Sequence, residues 1–161
     1  MCPQCNDPTL TQADVHAAFA RVIEDTGWAI QSVTGDRLYA RLAYTVGLTD
    51  FDLPELVVTG LRPDRACALL NAVAEHSLHA QPPCPGDRVQ LDGGPLFEVV
   101  RLDHPDAHLF TAVALRGPDI AALQLVWADD RGRWPWERGH RGGRGGQPVL
   151  GPRTARGAAA N

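Results

Sequence analysis

Residues 123–151, LQLVWADDRGRWPWERGHRGGRGGQPVLG, are the stretch around which the rest of the chain is organised. The stretch opens with apolar residues that predict a buried strand. A loop then extends over residues 129–146, and it contains two aspartates, two tryptophans, five arginines and six glycines. At residues 147–151, QPVLG, apolar side chains again become available for packing. Because binding residues concentrate in loops that a rigid scaffold positions, this loop is the first candidate for a functional site.

The composition allows one domain with one core, since 161 residues with 44% hydrophobic content can bury a sizeable apolar volume. No apolar run approaches the roughly 20 residues that span a bilayer. The first residues, MCPQCNDP, lack the basic start and apolar centre of a secretory signal. We therefore expect a cytoplasmic protein without a membrane partner. The expected organisation is a CxxC segment at 1–10, a single domain at 11–151 and a disordered tail at 152–161.

The net charge of −4 conceals an uneven distribution of charge along the chain. Residues 1–128 contain 16 acidic residues and 8 arginines, a net charge of −8. Residues 129–161 contain 3 acidic residues and 7 arginines, a net charge of +4. A basic end on an acidic body indicates either an anionic partner or mutual neutralisation of the two ends. We favour neutralisation, because surface charges usually pair or are solvated without a specific function.

Helical and strand patterns alternate through the first half of the chain. Thr11 and Asp14 form a capping-box pattern, and apolar residues at helical spacing follow it, which predicts a helix at 11–26. Pro63 suits the first turn of a second helix, at 63–78. Alternating apolar residues predict three neighbouring, antiparallel strands at residues 28–33, 38–46 and 55–60.

The second half of the chain begins with a hairpin signal, since an Asp-Gly turn separates apolar strands at 89–91 and 96–102. A short helix at 104–116 and a strand at 122–128 complete the pattern. This order lacks the regular βαβαβ rhythm of a doubly wound sheet. It predicts an α+β fold: a single domain in which two to three helices pack on a face of a mixed or mainly antiparallel sheet.

Several segments, in this order and spacing, carry a resemblance to one known family: GWAIQSV, AYTVGLTDF, PELVVTGL, LQLVWADDRGRWPW and QPVLG. They resemble the domain of unknown function family 4262, and the likeness extends over nearly everything from Cys2 to Gly151. The Met-Cys-x-x-Cys start is also similar to that of many actinobacterial members. The resemblance implies a small, mostly bacterial domain without assigned chemistry, so it supplies no catalytic residues.

The cysteines provide the first candidate site. Cys2 and Cys5 have the spacing of half a zinc site, because thiolates two residues apart can both reach one ion at about 2.3 Å. A full site requires two further ligands, and we favour His76, His79 and Cys84 as donors. The two histidines face the same way on the predicted helix. Zinc is therefore the expected cofactor, and no nucleotide-binding motif is present in the sequence.

Other interpretations of the cysteines stay open. His104 and His108 are further donors for the same ion. A redox role is less favoured, because thioredoxin-like CxxC motifs follow a strand and open a helix, whereas this pair precedes every predicted element. The pair can also lie in a free terminus without any function. Cys67, in the second predicted helix, is most simply a small core residue.

The loop after the last strand is the second candidate site. Asp129 and Asp130 directly follow that strand, and a carboxylate pair there can bind a divalent cation or serve as general acid and base. We favour an ordinary turn, in which Asp accepts hydrogen bonds from backbone N–H groups, because this is the commonest use of Asp before Gly.

Tryptophans are concentrated in the same region. Trp127, Trp134 and Trp136 can stack on a planar ligand or close the core over the end of the sheet, and we favour core closure. Tyr44, on the second predicted strand, can meet a pocket at this place with its hydroxyl.

The segment at residues 138–146, RGHRGGRGG, is similar to the RGG tracts that bind single-stranded nucleic acid. Its glycines also allow backbone amides to cradle an anion such as phosphate. Arg138 and Arg141 are the arginines that we place in a ligand site. The plainer interpretation is a surface loop whose arginines pair with the acidic body.

Three functions follow from these candidates. We favour a small metal-stabilised binding or regulatory domain whose Arg/Trp-rich loop contacts an unknown protein or a small anionic ligand. The alternative is a small enzyme, although no nucleophile–base constellation indicates a reaction. Its pocket at the sheet end would be lined by Tyr44, Trp127, Asp129, Asp130 and Trp136. A single-stranded nucleic-acid binder is the least favoured, because the chain is acidic and has no lysine.

We predict that Cys2 and Cys5 bind a metal ion, with zinc the expected ion. Changing both to serine removes the thiolates, so the variant should lose about one metal ion per chain and melt at a lower temperature. Elemental analysis of untagged protein and thermal denaturation measure the two effects. Wild-type protein that purifies without stoichiometric metal would contradict the prediction.

Overall fold

The computed structural model describes residues 9–154, in which three α-helices flank a six-stranded sheet. This mixed sheet with its helices confirms the predicted α+β fold. Short 3₁₀ helices within these residues lie at Leu48–Phe51, Pro105–Ala107 and His140–Gly143. The helices and strands in chain order are α1 (Gln12–Thr26), β1 (Ala29–Val33), β2 (Leu42–Val46), β3 (Glu55–Thr59), α2 (Pro63–His79), β4 (Arg88–Gln90), β5 (Leu96–Arg101), α3 (Phe110–Arg116) and β6 (Ala122–Trp127).

The strands lie in the order β1-β2-β3-β6-β5-β4. The central pair, β3 and β6, is parallel, with Val57 opposite Gln124, and the other four pairs are antiparallel. Parallel neighbours end at the same edge of a sheet. The chain that leaves β3 towards α2 therefore lies beside the chain that leaves β6 into the glycine-rich loop.

Both long helices have the ends that their sequences predict. At the start of α1, Thr11 Oγ1 accepts a hydrogen bond from Asp14 N at 3.2 Å, and Thr11 N donates to Asp14 Oδ2 at 2.9 Å. Helix α1 ends at Gly27, which has a φ of 91°. Pro63 occupies the first turn of α2. None of the helices in residues 9–154 is both long and apolar enough to span a membrane.

The helices cover both faces of the sheet, which differs from the single helical face that the sequence predicts. The reason is that every residue of β3 and β6 is buried, so the two central strands have two apolar faces to cover. Helix α2 packs on the face that presents Ala43, Leu56 and Leu125. Helices α1 and α3 pack on the opposite face, beside Tyr44 and Val57.

The second strand is shorter than the predicted strand at 38–46. Asp36 Oδ1 accepts hydrogen bonds from the backbone N–H groups of Leu38 and Tyr39, at 2.7 and 2.8 Å. Such a turn satisfies the backbone locally and competes with strand pairing. Leu38 and Tyr39 are consequently exposed, and β2 begins at Leu42.

A fully buried carboxylate, that of Glu55, joins the start of β3 to the end of β2. Glu55 Oε2 accepts a hydrogen bond from the Thr45 hydroxyl at 2.6 Å. Glu55 Oε1 accepts from Gly47 N at 2.9 Å, Thr49 N at 3.1 Å and the Thr49 hydroxyl at 2.8 Å. No cation pairs with Glu55 among residues 9–154. The four donors satisfy a charge that would otherwise be costly to bury.

The segment after the glycine-rich loop is held against the sheet by Gln124, which is fully buried in β6. Gln124 Nε2 donates to Pro148 O at 2.8 Å, and Leu150 N donates to Gln124 Oε1 at 2.7 Å. Packed structure continues past the predicted end of the domain at 151, because Arg153 donates to Glu98 Oε1 at 2.9 Å. The rest of the predicted tail, 155–161, lies outside the described residues, as does most of the predicted segment at 1–10.

Apolar residues of the predicted helices and strands lie in or against the two layers of packed side chains. Val57, Leu70, Val99 and Val126 have no exposed surface. Trp28 and Leu42 are half-buried and pack against the edges of the layers. The sequence patterns therefore locate the centre of the core better than its rim.

We predict that Val57→Asp unfolds the protein. Val57 is fully buried in the central strand β3, and an aspartate there would place a charge in the core without a partner. Circular dichroism should show loss of the native signal at room temperature. Val22→Asp is the matched control, since Val22 is 45% exposed on α1, and this variant should melt close to wild type. A folded Val57→Asp variant with a wild-type melting temperature would contradict the prediction.

Candidate functional site

An open cleft of about 1200 Å³ lies at the edge of the sheet where β3 and β6 both end. Its three walls are the beginning of α2 with the residues before it, the turn between β4 and β5, and the loop after β6. Crevices at the carboxyl ends of parallel strands are common ligand sites in sheets of this kind. The cleft is therefore the principal candidate site in residues 9–154.

Positive charge predominates in the lining of the cleft. Three aspartates, Asp92, Asp129 and Asp130, face a larger set of arginines. The arginines are Arg62, Arg65, Arg131, Arg133, Arg141 and Arg144. The guanidinium groups of Arg65, Arg131 and Arg144 have no hydrogen-bond or ionic partner within residues 9–154. These cations are free to meet an anion that enters the cleft.

Trp127, the last residue of β6, is set firmly in the cleft wall. Its indole Nε1 donates to Thr59 O at 2.9 Å. Its backbone N donates to Gln147 Oε1 at 2.8 Å, and Gln147 Nε2 returns a bond to Trp127 O at 2.9 Å. The guanidinium carbon of Arg141 lies 5.4 Å from the centre of the indole ring, within the range of a cation–π interaction. Trp127 thus forms a rigid base for Arg141.

Asp129 closes the loop that carries the arginines. Its Oδ1 accepts hydrogen bonds from Arg131 N and Arg133 N, both at 2.9 Å. Its Oδ2 accepts from Arg141 N at 2.8 Å and from Arg133 Nε at 3.2 Å. One carboxylate therefore binds three backbone N–H groups that are separated by up to ten residues of sequence. Asp129 accepts backbone N–H groups as the favoured turn interpretation expects, and its bonds reach across the whole loop as far as Arg141.

Proton transfer and cation binding do not suit Asp129. Burial raises the pKa of Asp129, but the hydrogen bonds from Arg133 N, Arg141 N and Arg131 N outweigh it and hold the pKa far below the ordinary value of 3.8. Both carboxylate oxygens already accept two hydrogen bonds. Asp129 is consequently a structural anion, whereas Asp130 is exposed.

His140 lies behind the cleft rather than in it. The ring is buried and its centre is 5.6 Å from that of Trp127. Burial is the main cause that lowers the pKa of His140; the charge of Asp129 opposes this effect, whereas Arg141 and Arg133 add to it. Burial thus favours the uncharged imidazole, which packs beside Trp127.

Tyr44 is not in this cleft, contrary to the pocket predicted from the sequence. Tyr44 belongs to the face covered by α1 and α3, whereas Trp127 belongs to the face covered by α2. The Tyr44 hydroxyl accepts a hydrogen bond from Thr111 N at 3.1 Å, and the residue is 1% exposed. The alternating pattern of β2 does not say which helices cover each face of the sheet. Tyr44 is on the face that α1 and α3 cover, and they bury it.

Trp134 and Trp136 also lie outside the cleft. Their rings stack with centres 5.4 Å apart. The guanidinium carbon of Arg88 lies 4.6 Å from the ring centre of Trp134. That of Arg153 lies 3.4 Å from the ring centre of Trp136. Both arginines bond to the buried Glu98. Burial raises the pKa of Glu98, but its bonds to Arg153 and Arg88 outweigh this effect and lower it. The predicted five-residue pocket therefore retains Trp127, Asp129 and Asp130, whereas Trp134 is buried against Trp136 and Arg88.

The predicted RGG-like segment is divided by the fold. Arg141 and Arg144 line the cleft, whereas Arg138 is exposed and outside it. The sequence patterns did not identify Arg62, Arg65 or Asp92 as site residues. Sequence patterns could not group these three residues. They come together only because β3 pairs with β6 in parallel and the turn between β4 and β5 lies beside that pair.

The residues predicted to complete a zinc site are separate from the cleft. His79 pairs with Glu75 at 3.5 Å, and His76 lines a different cavity of about 250 Å³. Cys84 is exposed. Within residues 9–154, no cluster of three or more His, Cys, Asp or Glu side chains could hold a metal ion. Cys2 and Cys5 lie outside the described residues, so the zinc site stays a prediction.

The family model described as domain of unknown function DUF4262 matches residues 22–141. The match is narrower than the likeness inferred from the sequence. It contains all six strands and the cleft residues up to Arg141, but it excludes the CxxC pair and the segment pinned by Gln124. No curated protein matches the chain. No solved structure matches it either.

We predict that Asp129→Asn lowers the melting temperature at neutral pH, because an amide NH₂ would face N–H donors that now bond to a carboxylate oxygen. The effect should shrink as the pH falls below about 4. In the unfolded chain Asp129 takes up its proton near the ordinary value of 3.8, whereas the folded chain holds a lower pKa. The stabilisation is thus present above 3.8 and is lost as the pH falls towards the folded value.

Thermal denaturation of wild type and variant over a pH series measures this narrowing difference. Asp130→Asn is the control, because Asp130 is exposed and makes none of the loop's hydrogen bonds; it should melt close to wild type. A difference between wild type and Asp129→Asn that stays constant down to pH 2 would count against the role assigned to Asp129.

Proposed function

The chain belongs to the domain of unknown function family DUF4262, and we propose that it is a binding domain whose arginine-lined cleft takes a small organic anion with more than one negative group. The observation that carries this proposal is the convergence of six arginines on one cleft from two separate parts of the chain. Arg62 and Arg65 come from the start of α2, and the others come from the loop after β6.

Unsatisfied charge supports an anionic ligand. Arg133 is paired with Asp129, and Arg62 makes an exposed pair with Asp64. The remaining arginines lack an acidic partner within residues 9–154, so like charges face one another across the cleft. An anion with two or more charged groups would relieve this repulsion on both walls at once. Arginine also favours carboxylate and phosphate groups because its fork matches their geometry.

The beginning of α2 adds to the same field. This 17-residue helix starts at the cleft, and its N-cap residue, Arg62, makes no capping side-chain hydrogen bond. The partial positive charge of a helix N-terminus favours an anion nearby. It supports the proposal together with the arginines, which provide full charges on the same wall.

The size and apolar part of the cleft favour an organic anion over a single inorganic ion. Small-molecule sites typically have volumes of about 300–1,000 Å³, and this cleft has about 1200 Å³. Leu69, Leu91, Leu96 and the edge of Trp127 contribute apolar surface beside the arginines. An extended ligand with an apolar or planar portion would contact both kinds of surface.

Binding is favoured over catalysis by the side chains that line the cleft. The described lining residues include no Cys, His, Ser, Thr, Tyr or Lys. Asp129 has both oxygens occupied and a pKa far below its ordinary value. The carboxylates that remain, Asp92 and Asp130, have no histidine and no hydroxyl or thiol nucleophile beside them in the described lining.

The proposed zinc site is compatible with this binding role and distinct from it. If Cys2 and Cys5 bind zinc with His76, His79 or Cys84, the ion would anchor the N-terminus near the end of α2. The cleft lies at the beginning of the same helix. Zinc would then stabilise the domain without touching the ligand, as the metal-stabilised binding domain inferred from the sequence requires.

We predict that pyrophosphate, citrate or ATP binds the wild-type protein and raises its melting temperature, because a ligand of the folded state stabilises it by mass action. Arg65→Gln with Arg144→Gln removes one free cation from each wall, so the affinity should fall by about tenfold or more. Isothermal titration calorimetry at two salt concentrations measures the affinity, which should weaken as salt rises.

Arg21→Gln with Arg37→Gln is the matched control, since it removes the same charge from exposed positions away from the cleft. This control should retain wild-type affinity. Equal losses in the two double variants would indicate a nonspecific charge effect. Failure of all three anions to bind at millimolar concentration would overturn the proposed function.

A further inference from the structure

The backbone of Arg141 is unusual for its residue type. The loop contains a run of glycines with positive φ, including Gly139 at 78° and Gly142 at 69°, and Arg141 lies among them with a φ of 50°. Within residues 9–154, Asp52 is the other non-glycine residue with positive φ, and Asp tolerates this conformation better than Arg does. Glycine would adopt the conformation of Arg141 without steric cost.

The surrounding loop holds Arg141 in this conformation from both sides. Its backbone N donates to Asp129 Oδ2 at 2.8 Å, and Gly142 N donates to Gly139 O at 2.9 Å. Asp129 is itself held by Arg131 N and Arg133 N. The hydrogen bonds that hold the strained backbone on these two sides do not involve the Arg141 side chain.

Arg141 lines the cleft, and its side chain has unused hydrogen-bonding capacity. Arg141 Nη1 donates to Gly145 O at 2.8 Å, and the guanidinium lies over Trp127. A guanidinium has five N–H donors, and Gly145 O is the acceptor that Arg141 meets within residues 9–154. A planar group fixed in this way, with donors remaining, is prepared to form two parallel hydrogen bonds with one carboxylate or phosphate.

We propose that Arg141 is the affinity-determining contact of the cleft, and that it binds one carboxylate or phosphate group of the ligand through its guanidinium fork. This inference rests on the proposed function and identifies the contact on which that function depends most. Strained backbone conformations of this kind cluster at active sites and ligand contacts. Here a glycine would serve the backbone better, so the requirement lies in the side chain.

The test is Arg141→Gly, with pyrophosphate as the probe. Glycine relieves the left-handed strain, so the melting temperature without ligand should stay within about 3 °C of wild type. The affinity for pyrophosphate should fall by about tenfold or more, because the fork is lost. Arg141→Lys keeps the charge without the fork, and it should also bind more weakly than wild type.

Asp52→Gly is the matched control, since Asp52 is the other left-handed residue and lies outside the cleft. It reports the effect of placing glycine at such a position, and its affinity should equal that of wild type. Calorimetry and thermal denaturation provide the two readouts for every variant.

Each outcome decides the inference. An Arg141→Gly variant that fails to fold or melts far below wild type would show that the arginine is needed for structure, and the inference would be wrong. Unchanged affinity in Arg141→Gly would also overturn it while leaving the proposed function in place. Wild-type protein that binds no pyrophosphate, citrate or ATP would overturn the proposed function and, with it, the role of Arg141.

Discussion

The parallel pairing of β3 with β6 is the constraint on which the other features of this protein depend. Both strands are buried throughout, so both faces of the sheet must be covered, and the helices divide between them. The pairing also brings the chain after Thr59 beside the chain after Trp127. Arginines that are far apart in sequence, such as Arg62 and Arg141, meet in one cleft for this reason.

Two buried polar side chains specify the structure around that pair. Glu55, at the start of β3, bonds to Thr45 and Thr49 and thereby orders the turn after β2. Gln124, in β6, bonds to Thr59 and to the segment at 148–150 on the same face. A polar group buried in a dry core is costly unless every partner is in place. These residues consequently favour a single arrangement of the turns and the returning segment over other apolar packings.

Local sequence patterns predicted the helices and strands of this fold well, but they predicted poorly which of these pack or pair with one another. The capping box at Thr11 and the proline at Pro63 gave the helix starts, because caps are set by neighbouring residues. The position of Tyr44 could not be predicted in the same way, since alternation defines two faces without saying what covers each. The loop after β6 was singled out by its composition alone. The opposite wall of the cleft, on α2, could not be predicted in this way. It depends on which strands pair, and residues distant in sequence determine that pairing.

The positive charge of the cleft depends on which groups donate hydrogen bonds to Asp129. An acidic chain would be expected to neutralise its arginines, and Glu98 does so for Arg88 and Arg153. Asp129 behaves differently, because three of its four hydrogen bonds come from backbone N–H groups and one comes from the Arg133 side chain. Its negative charge is therefore used mainly to close the loop. The guanidinium groups of Arg131, Arg141 and Arg144 are left for the cleft, which is cationic although the protein as a whole is anionic.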